Sequence, residues 1–217
     1  MKTQFARIPA AALGAACLAG PALSAERTVE TGDFSAVDAA NGVNVEIVVG
    51  GPAGVVIDGR ESQLGNVDIE VNGDTLRIRP ERRPLFFGHT NVSDVTVRVS
   101  LERLDAVEAA NGAAVRIADV PADSEIALAA VNGAMLEAAG LCGAVSAQAA
   151  RGGMLDASAL DCRAATAEAS MGGMAAVRAS ERVVASASMG GLVDVHGDAE
   201  DADFSSSMGG QISRSGG

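Results

Sequence analysis

A glycine-centred pair that recurs about every twenty residues limits this chain to very few folds. Asn111-Gly112, Asn132-Gly133, Gly152-Gly153, Gly172-Gly173, Gly190-Gly191 and Gly209-Gly210 follow one another with their second residues 21, 20, 20, 18 and 19 positions apart. The last three pairs share a lead-in: Ser170-Met171, Ser188-Met189 and Ser207-Met208. Between the pairs the residues alternate. Val145, Ala147 and Ala149 interleave with Ser146 and Gln148, and Ala165, Ala167 and Ala169 with Thr166 and Glu168. A period of two places alternate side chains on opposite faces of a strand, with Ala and Val inward and the polar residues outward. Alanine is also the best helix former, but a Gly-Gly pair in each repeat would end every helix, and the alternation contains no 3.6-residue stripe.

A strand-turn-strand unit repeated at this interval predicts an all-β fold, a single-domain parallel β-helix with coils of about 20 residues, expected to be right-handed. Nine or ten coils stacked about 4.8 Å apart would make a body about 45 Å long. The small inward residues imply a narrow interior. Counting back six positions from each second glycine gives Ala147, Ala167, Ala185 and then Phe204, so one aromatic ring is expected to plug the last coil.

The first half of the chain has a different texture. Val43, Val45 and Ile47 alternate, as do Val67, Ile69 and Val71, Leu76 and Ile78, and Val95, Val97, Val99 and Leu101. This predicts longer-strand, wider coils over residues 26–110, leading into the Gly-Gly coils of residues 111–217. The segment Phe34-Ser-Ala-Val-Asp-Ala-Ala-Asn-Gly42 is echoed seventy residues later by Leu104-Asp-Ala-Val-Glu-Ala-Ala-Asn-Gly112. Pro80 to Asn91, with Arg82, Arg83, Phe86, Phe87 and His89, breaks the pattern and reads as a protruding loop.

Residues 1–25 read as a signal peptide. Lys2 and Arg7 precede an uncharged run from Ile8 to Leu23, and Leu23-Ser24-Ala25 before Glu26 fits a signal-peptidase site. The run is short for a bilayer span and is interrupted by Pro9 and Pro21. The alternative is a lipoprotein anchored at Cys17, although Gly14 rather than Leu stands three places before it. Removing the signal leaves 14 basic against 28 acidic side chains, a net charge of -14 over 192 residues. Such a chain repels a phosphate backbone, which argues against nucleic-acid binding. With no Trp or Tyr and five Phe, it also has little material for stacking sugars or bases.

The opening F-x-x-V-x-x-x-x-G-V-x-V-x-I from Phe34, then Val55-Val-Ile-Asp-Gly59, Gly73-Asp-Thr-Leu-Arg-Ile78 and the later Gly-Gly coils, resembles the putative auto-transporter adhesin head GIN domain family over nearly all of the mature chain. The resemblance implies a secreted or envelope β-helix. The family pattern carries no catalytic residues to transfer.

Cys142 and Cys162 each lie nine residues after a coil's second glycine, which stacks them in successive coils at a spacing that suits a disulfide. Counting from Met135 and Met154 instead offsets the two by one residue and turns one away. Glu137, Asp156 and Asp194 follow their glycine pairs by three or four residues and could form an acidic lane. Stacked carboxylates of this kind supply the acid and base of polysaccharide hydrolases and lyases, but Ala176 interrupts the lane. Carboxylates are also ordinary on any solvated face. The acidic run Asp198 to Asp203 matches no calcium loop, and His89 and His196 lack ligand spacing, so neither metal nor cofactor is predicted. The expectation is an exported, non-enzymatic adhesion, interaction or structural protein contacting an envelope protein or a cell-surface glycan. The rival is a carbohydrate-active enzyme working through the acidic lane.

Overall fold

The computed structural model describes residues 25–81, 92 and 94–215. The signal segment, Cys17 and the loop from Arg82 to His89 lie outside these residues. Strands make up 68% of the described residues, and helix is almost absent among them. In chain order the strands are β1 (Ala25–Val29), β2 (Ala36–Ala40), β3 (Asn44–Val49), β4 (Gly54–Gly59), β5 (Val67–Asn72), β6 (Thr75–Pro80), β7 (Thr96–Leu101) and β8 (Ala106–Ala110). They continue with β9 (Ala114–Val120), β10 (Glu125–Val131), β11 (Met135–Ala150), β12 (Met154–Ser170), β13 (Met174–Ala187), β14 (Leu192–His196), β15 (Asp201–Ser206) and β16 (Gln211–Ser215).

The strands stack into two parallel ladders. One runs β6, β2, β8, β10, the second halves of β11, β12 and β13, and then β15. The other runs β7, β3, β9, the first halves of β11, β12 and β13, and then β14 and β16. Each coil contributes one strand to each ladder, and the inward residues of both merge into one continuous core. The architecture is the predicted β-solenoid with coils of about 20 residues.

The coil count differs from the expectation of nine or ten: about six turns wind consecutively, from β8 to β16, and β6–β7 and β2–β3 add two further rungs to each ladder. Residues 25–80 do not wind as consecutive coils. The pair β2–β3 is inserted between β6–β7 and β8–β9, so coil order in space departs from chain order. In addition, β4 pairs antiparallel with β7, β1 with β4, and β5 with β6, which extends the ladders without adding coils. These antiparallel strands form one end of the solenoid, and β15 and β16 form the other. Nor are the strands of residues 26–110 the longer ones. β2 and β3 have five and six residues, whereas β11, β12 and β13 have 16, 17 and 14, because each continues through the second corner of its coil.

The seventy-residue echo has a spatial cause. Val37 stands opposite Val107 and Ala39 opposite Ala109 in adjacent coils, and Val45 and Ile47 stand opposite Val115 and Ile117. Similar text recurs because the two segments occupy equivalent places in neighbouring coils. The core column anticipated from counting is also in register. Leu76, Val37, Val107, Leu128, Ala147, Ala167, Ala185 and Phe204 stack in that order. It narrows from Leu and Val to three alanines. Phe204 ends the column, 41% exposed on a strand whose every residue is exposed.

The glycine pairs work by two separate mechanisms, seen at Met189-Gly190-Gly191. Met189 and Gly190 both have positive φ, 47° and 74°, which turns the chain through the corner, and the Gly191 amide donates to the Ser188 carbonyl at 2.9 Å to close the turn. Gly191 has a different role: a Cβ there would lie 2.3 Å from the Ala169 carbonyl oxygen of the preceding coil. Gly153, Gly173 and Gly210 meet equivalent carbonyls at 2.1, 2.3 and 2.3 Å. The turning pair of the early corners, Asn111-Gly112, therefore corresponds to Met189-Gly190 and not to Gly190-Gly191, an offset of one from the alignment read in the sequence.

Two substitutions test this packing. Gly191→Ala forces a methyl group onto a backbone carbonyl and should cost roughly 1–3 kcal/mol in chemical denaturation. Gly190→Asn, in open space and in a conformation that Asn tolerates, should cost clearly less. Phe204→Ser removes the half-covered ring from the end of the core column. It should cost about 1 kcal/mol, seen as a fall of roughly 2–4 °C in Tm.

Candidate functional site

The stacked register turns single outward residues into columns that run along the solenoid. The most highly charged column lies on the outer face of the β3 ladder. Arg98, Glu46, Arg116, Glu137, Asp156, Ala176, Asp194 and Ser213 occupy equivalent positions in successive strands. The three predicted carboxylates thus do share one column. Glu137 and Asp156 are direct neighbours, and Ala176 separates Asp156 from Asp194.

Each carboxylate already has a local partner. Arg116 donates from Nε to Glu137 Oε2 at 2.8 Å, and this hydrogen bond, reinforced by the charge, raises the guanidinium pKa above its ordinary value. Asp156 Oδ1 accepts from the Ser158 amide at 3.0 Å and from the Ser158 hydroxyl at 2.6 Å. Asp194 accepts from the Ser213 hydroxyl of the next coil. At the other end of the column Arg98 reaches Asp58 at 2.7 Å, Glu26 at 3.5 Å and Glu46 at 3.6 Å. The sequence reading missed this alternation of Arg98, Glu46, Arg116 and Glu137. Its signal was the same seventy-residue offset between Glu46 and Arg116, each four positions past the end of an echoed segment. A depression of about 200 Å³ lies over the column, lined by Asn44, Glu46, Thr96, Arg116, Met135 and Glu137 among others. It is open on a sheet face.

Cys142 and Cys162 are register partners in adjacent coils, both buried, with Cα atoms 4.5 Å apart and sulfurs facing each other. Both ways of counting the sequence hold, each over its own stretch. Met135 stands opposite Met154 and Glu137 opposite Asp156, as counting from the methionines requires. A bulge between Glu137 and Ala139 then absorbs one residue, and Ala139 meets Ala159. Beyond the bulge the register is the one that brings the cysteines together. In the acidic segment Asp201 pairs with Arg182 at 3.1 Å, and His196 lies on the outer side of β14. Among the described residues no three His, Cys, Asp or Glu side chains converge as a metal site would require. No helix among them is long and apolar enough to cross a membrane.

A second column occupies the first corner of each coil. Asn41, Asn111 and Asn132 stack there, all with left-handed backbone. Asn132 Nδ2 donates to Asn111 Oδ1 at 3.0 Å, and Asn111 Nδ2 to Asn41 Oδ1 at 3.1 Å. Arg151, Met171, Met189 and Met208 take over the same corner position in the later coils.

Comparison with known proteins agrees with this architecture. A solved adhesin-like structure from Bacteroides fragilis, described as a putative adhesin, superposes with a TM-score of 0.62 at 14% identity, covering 89% of this chain and 97% of that one. A putative adhesin from Parabacteroides distasonis gives 0.52 at 13% identity, covering 91% and 96%. A putative lipid binding protein from the same species gives 0.51 at 15%, covering 88% and 96%. At these identities the likeness is one of fold. No curated protein matches the sequence. The family model described as "Putative auto-transporter adhesin, head GIN domain" matches residues 33–199, most of the solenoid, and the chain belongs to that family.

Proposed function

We propose that this chain is an exported β-solenoid that contacts an envelope protein or a cell-surface glycan through its outer faces, without carrying out chemistry on its partner. The observation that carries this reading is the state of the acidic lane. Glu137, Asp156 and Asp194 are each held by a neighbouring side chain, on a sheet face and not in an enclosed cleft. A hydrolase or lyase needs one carboxyl group poised as acid and another as base around a bound sugar. An adhesive face needs only columns of polar and charged groups held rigidly in register, which stacked coils supply. Export rests on the sequence of residues 1–25, and the family's description as an adhesin agrees with a surface or extracellular setting.

The enzymatic rival has one observation in its favour, the direct register of Glu137 with Asp156. Screening the mature protein against glycans and envelope extracts, with turnover assayed beside binding, separates the two readings. Saturable binding with no turnover is expected. The triple variant Glu137→Gln, Asp156→Asn, Asp194→Asn should fold normally. Polysaccharide cleavage that disappears in this variant would establish the enzyme instead.

We also propose that Cys142 and Cys162 form a disulfide in the exported protein, clamping two coils at the corner where the register shifts. Mass spectrometry of the mature protein without reductant should show the pair two hydrogens lighter and resistant to alkylation. Two alkylated thiols in the unfolded, unreduced protein would refute the pairing.

A further inference from the structure

All six methionines among the described residues are exposed, from 38% for Met174 to 79% for Met208, although methionine is ordinarily an interior residue. They gather along one edge of the solenoid in two rows. Met171, Met189 and Met208 occupy the same corner in three successive coils, tied by hydrogen bonds from the Gly172 amide to the Met189 carbonyl and from the Gly190 amide to the Met208 carbonyl. Met135, Met154 and Met174 form the second row, in direct register at the start of β11, β12 and β13. The rows meet where Met171 leads through Gly172-Gly173 into Met174.

The corner row runs against conformational preference. Met171, Met189 and Met208 have φ of 49°, 47° and 49°, a left-handed conformation that a side chain with a Cβ disfavours and that asparagine tolerates best. The early corners of this same solenoid use Asn41, Asn111 and Asn132. Replacing asparagine by methionine at three consecutive corners gives up a favourable backbone fit and the asparagine ladder, and in exchange it lines up three thioethers. An apolar docking patch does not explain the choice well. The second row passes to Leu192 and Gln211, and its flanking column on the same face is charged: Arg116, Glu137, Asp156 and Asp194.

Thioether sulfur is a soft donor that selects soft, low-charge metal ions. Coils spaced about 4.8 Å apart bring successive methionines within reach of one ion, and three rotatable bonds let each sulfur turn toward it. The other soft donors among the described residues, Cys142 and Cys162, are buried. Glu137 and Asp156 lie two positions after Met135 and Met154 on the same strands; Glu137 shares its charge with Arg116, and Asp156 places negative charge beside the second row. We propose that this methionine edge binds a soft monovalent cation, copper(I), with Met171, Met189 and Met208 as one donor set and Met135, Met154 and Met174 as a second. The proposal does not depend on the adhesive reading.

Silver(I), a soft ion that needs no reductant, is the direct probe. Native mass spectrometry of the mature protein titrated with silver(I) should show one or two ions retained per chain, and copper(I) should compete for the same sites against a chromogenic chelator. Combining Met171→Leu, Met189→Leu and Met208→Leu keeps the apolar bulk and removes the sulfurs, and it should weaken binding at the corner set at least tenfold. The corresponding asparagine triple is the folding control: it suits the left-handed corners, should melt no lower than the parent, and should lose the same site. Failure of the parent to retain silver, or retention by the leucine and asparagine triples equal to that of the parent, would overturn the proposal.

Discussion

The close approach of each coil's backbone to the one before it is the constraint on which the rest of the structure depends. Parallel strands in register place Gly153, Gly173, Gly191 and Gly210 against the carbonyls of Ala130, Ala149, Ala169 and Ala187, with no room for a Cβ. With that spacing held at these four corners, each of the later coils is a template for the next, and their inward residues are mostly Ala and Val. This accounts for a composition that is 48% hydrophobic and only 2% aromatic. Leu136 and Leu155 come from one ladder and Ala147 and Ala167 from the other, so large and small residues share the narrow interior.

Repetition also sets how the outside of the molecule can act. An outward residue is never alone, since its equivalents stand directly above and below it. A charge becomes part of a ladder such as Arg98, Glu46, Arg116 and Glu137, and an asparagine becomes part of a chain of side-chain hydrogen bonds. Rigid linear arrays of this type suit recognition of extended partners or capture of ions by several equivalent donors. They are less suited to assembling unlike groups around one reacting bond, which is usually the work of loops of different lengths meeting in a cleft. The adhesin descriptions of the family and of the solved relatives accord with that physical bias.

The parts of the fold that depend on period were legible in the sequence. Alternation of Ala and polar residues announced strands, the glycine pairs announced corners, and counting from them placed Ala147, Ala167, Ala185 and Phe204 in one column. The parts that depend on chain crossing were not. Nothing local in β2 and β3 signals that they slot between β6–β7 and β8–β9, because the residue that will stand opposite Val37 can come from any coil with the same pattern. The same ambiguity hid the antiparallel strands β4 and β5, whose apolar alternation matches that of a parallel strand.

By itself, the sequence determined the repeat and the strand faces, since these follow from side-chain period and need no knowledge of which strand pairs with which. Of the charged column it showed Glu137, Asp156 and Asp194 and not Arg98, Glu46 and Arg116. Only the tertiary structure decided the order of the coils, the partner that holds each carboxylate, and the register at the second corner. A one-residue bulge after Glu137 reconciles two incompatible ways of counting and puts Cys142 opposite Cys162. Bulges arise from the fit between neighbouring coils of unequal length, a relation between strands that no single stretch of sequence contains.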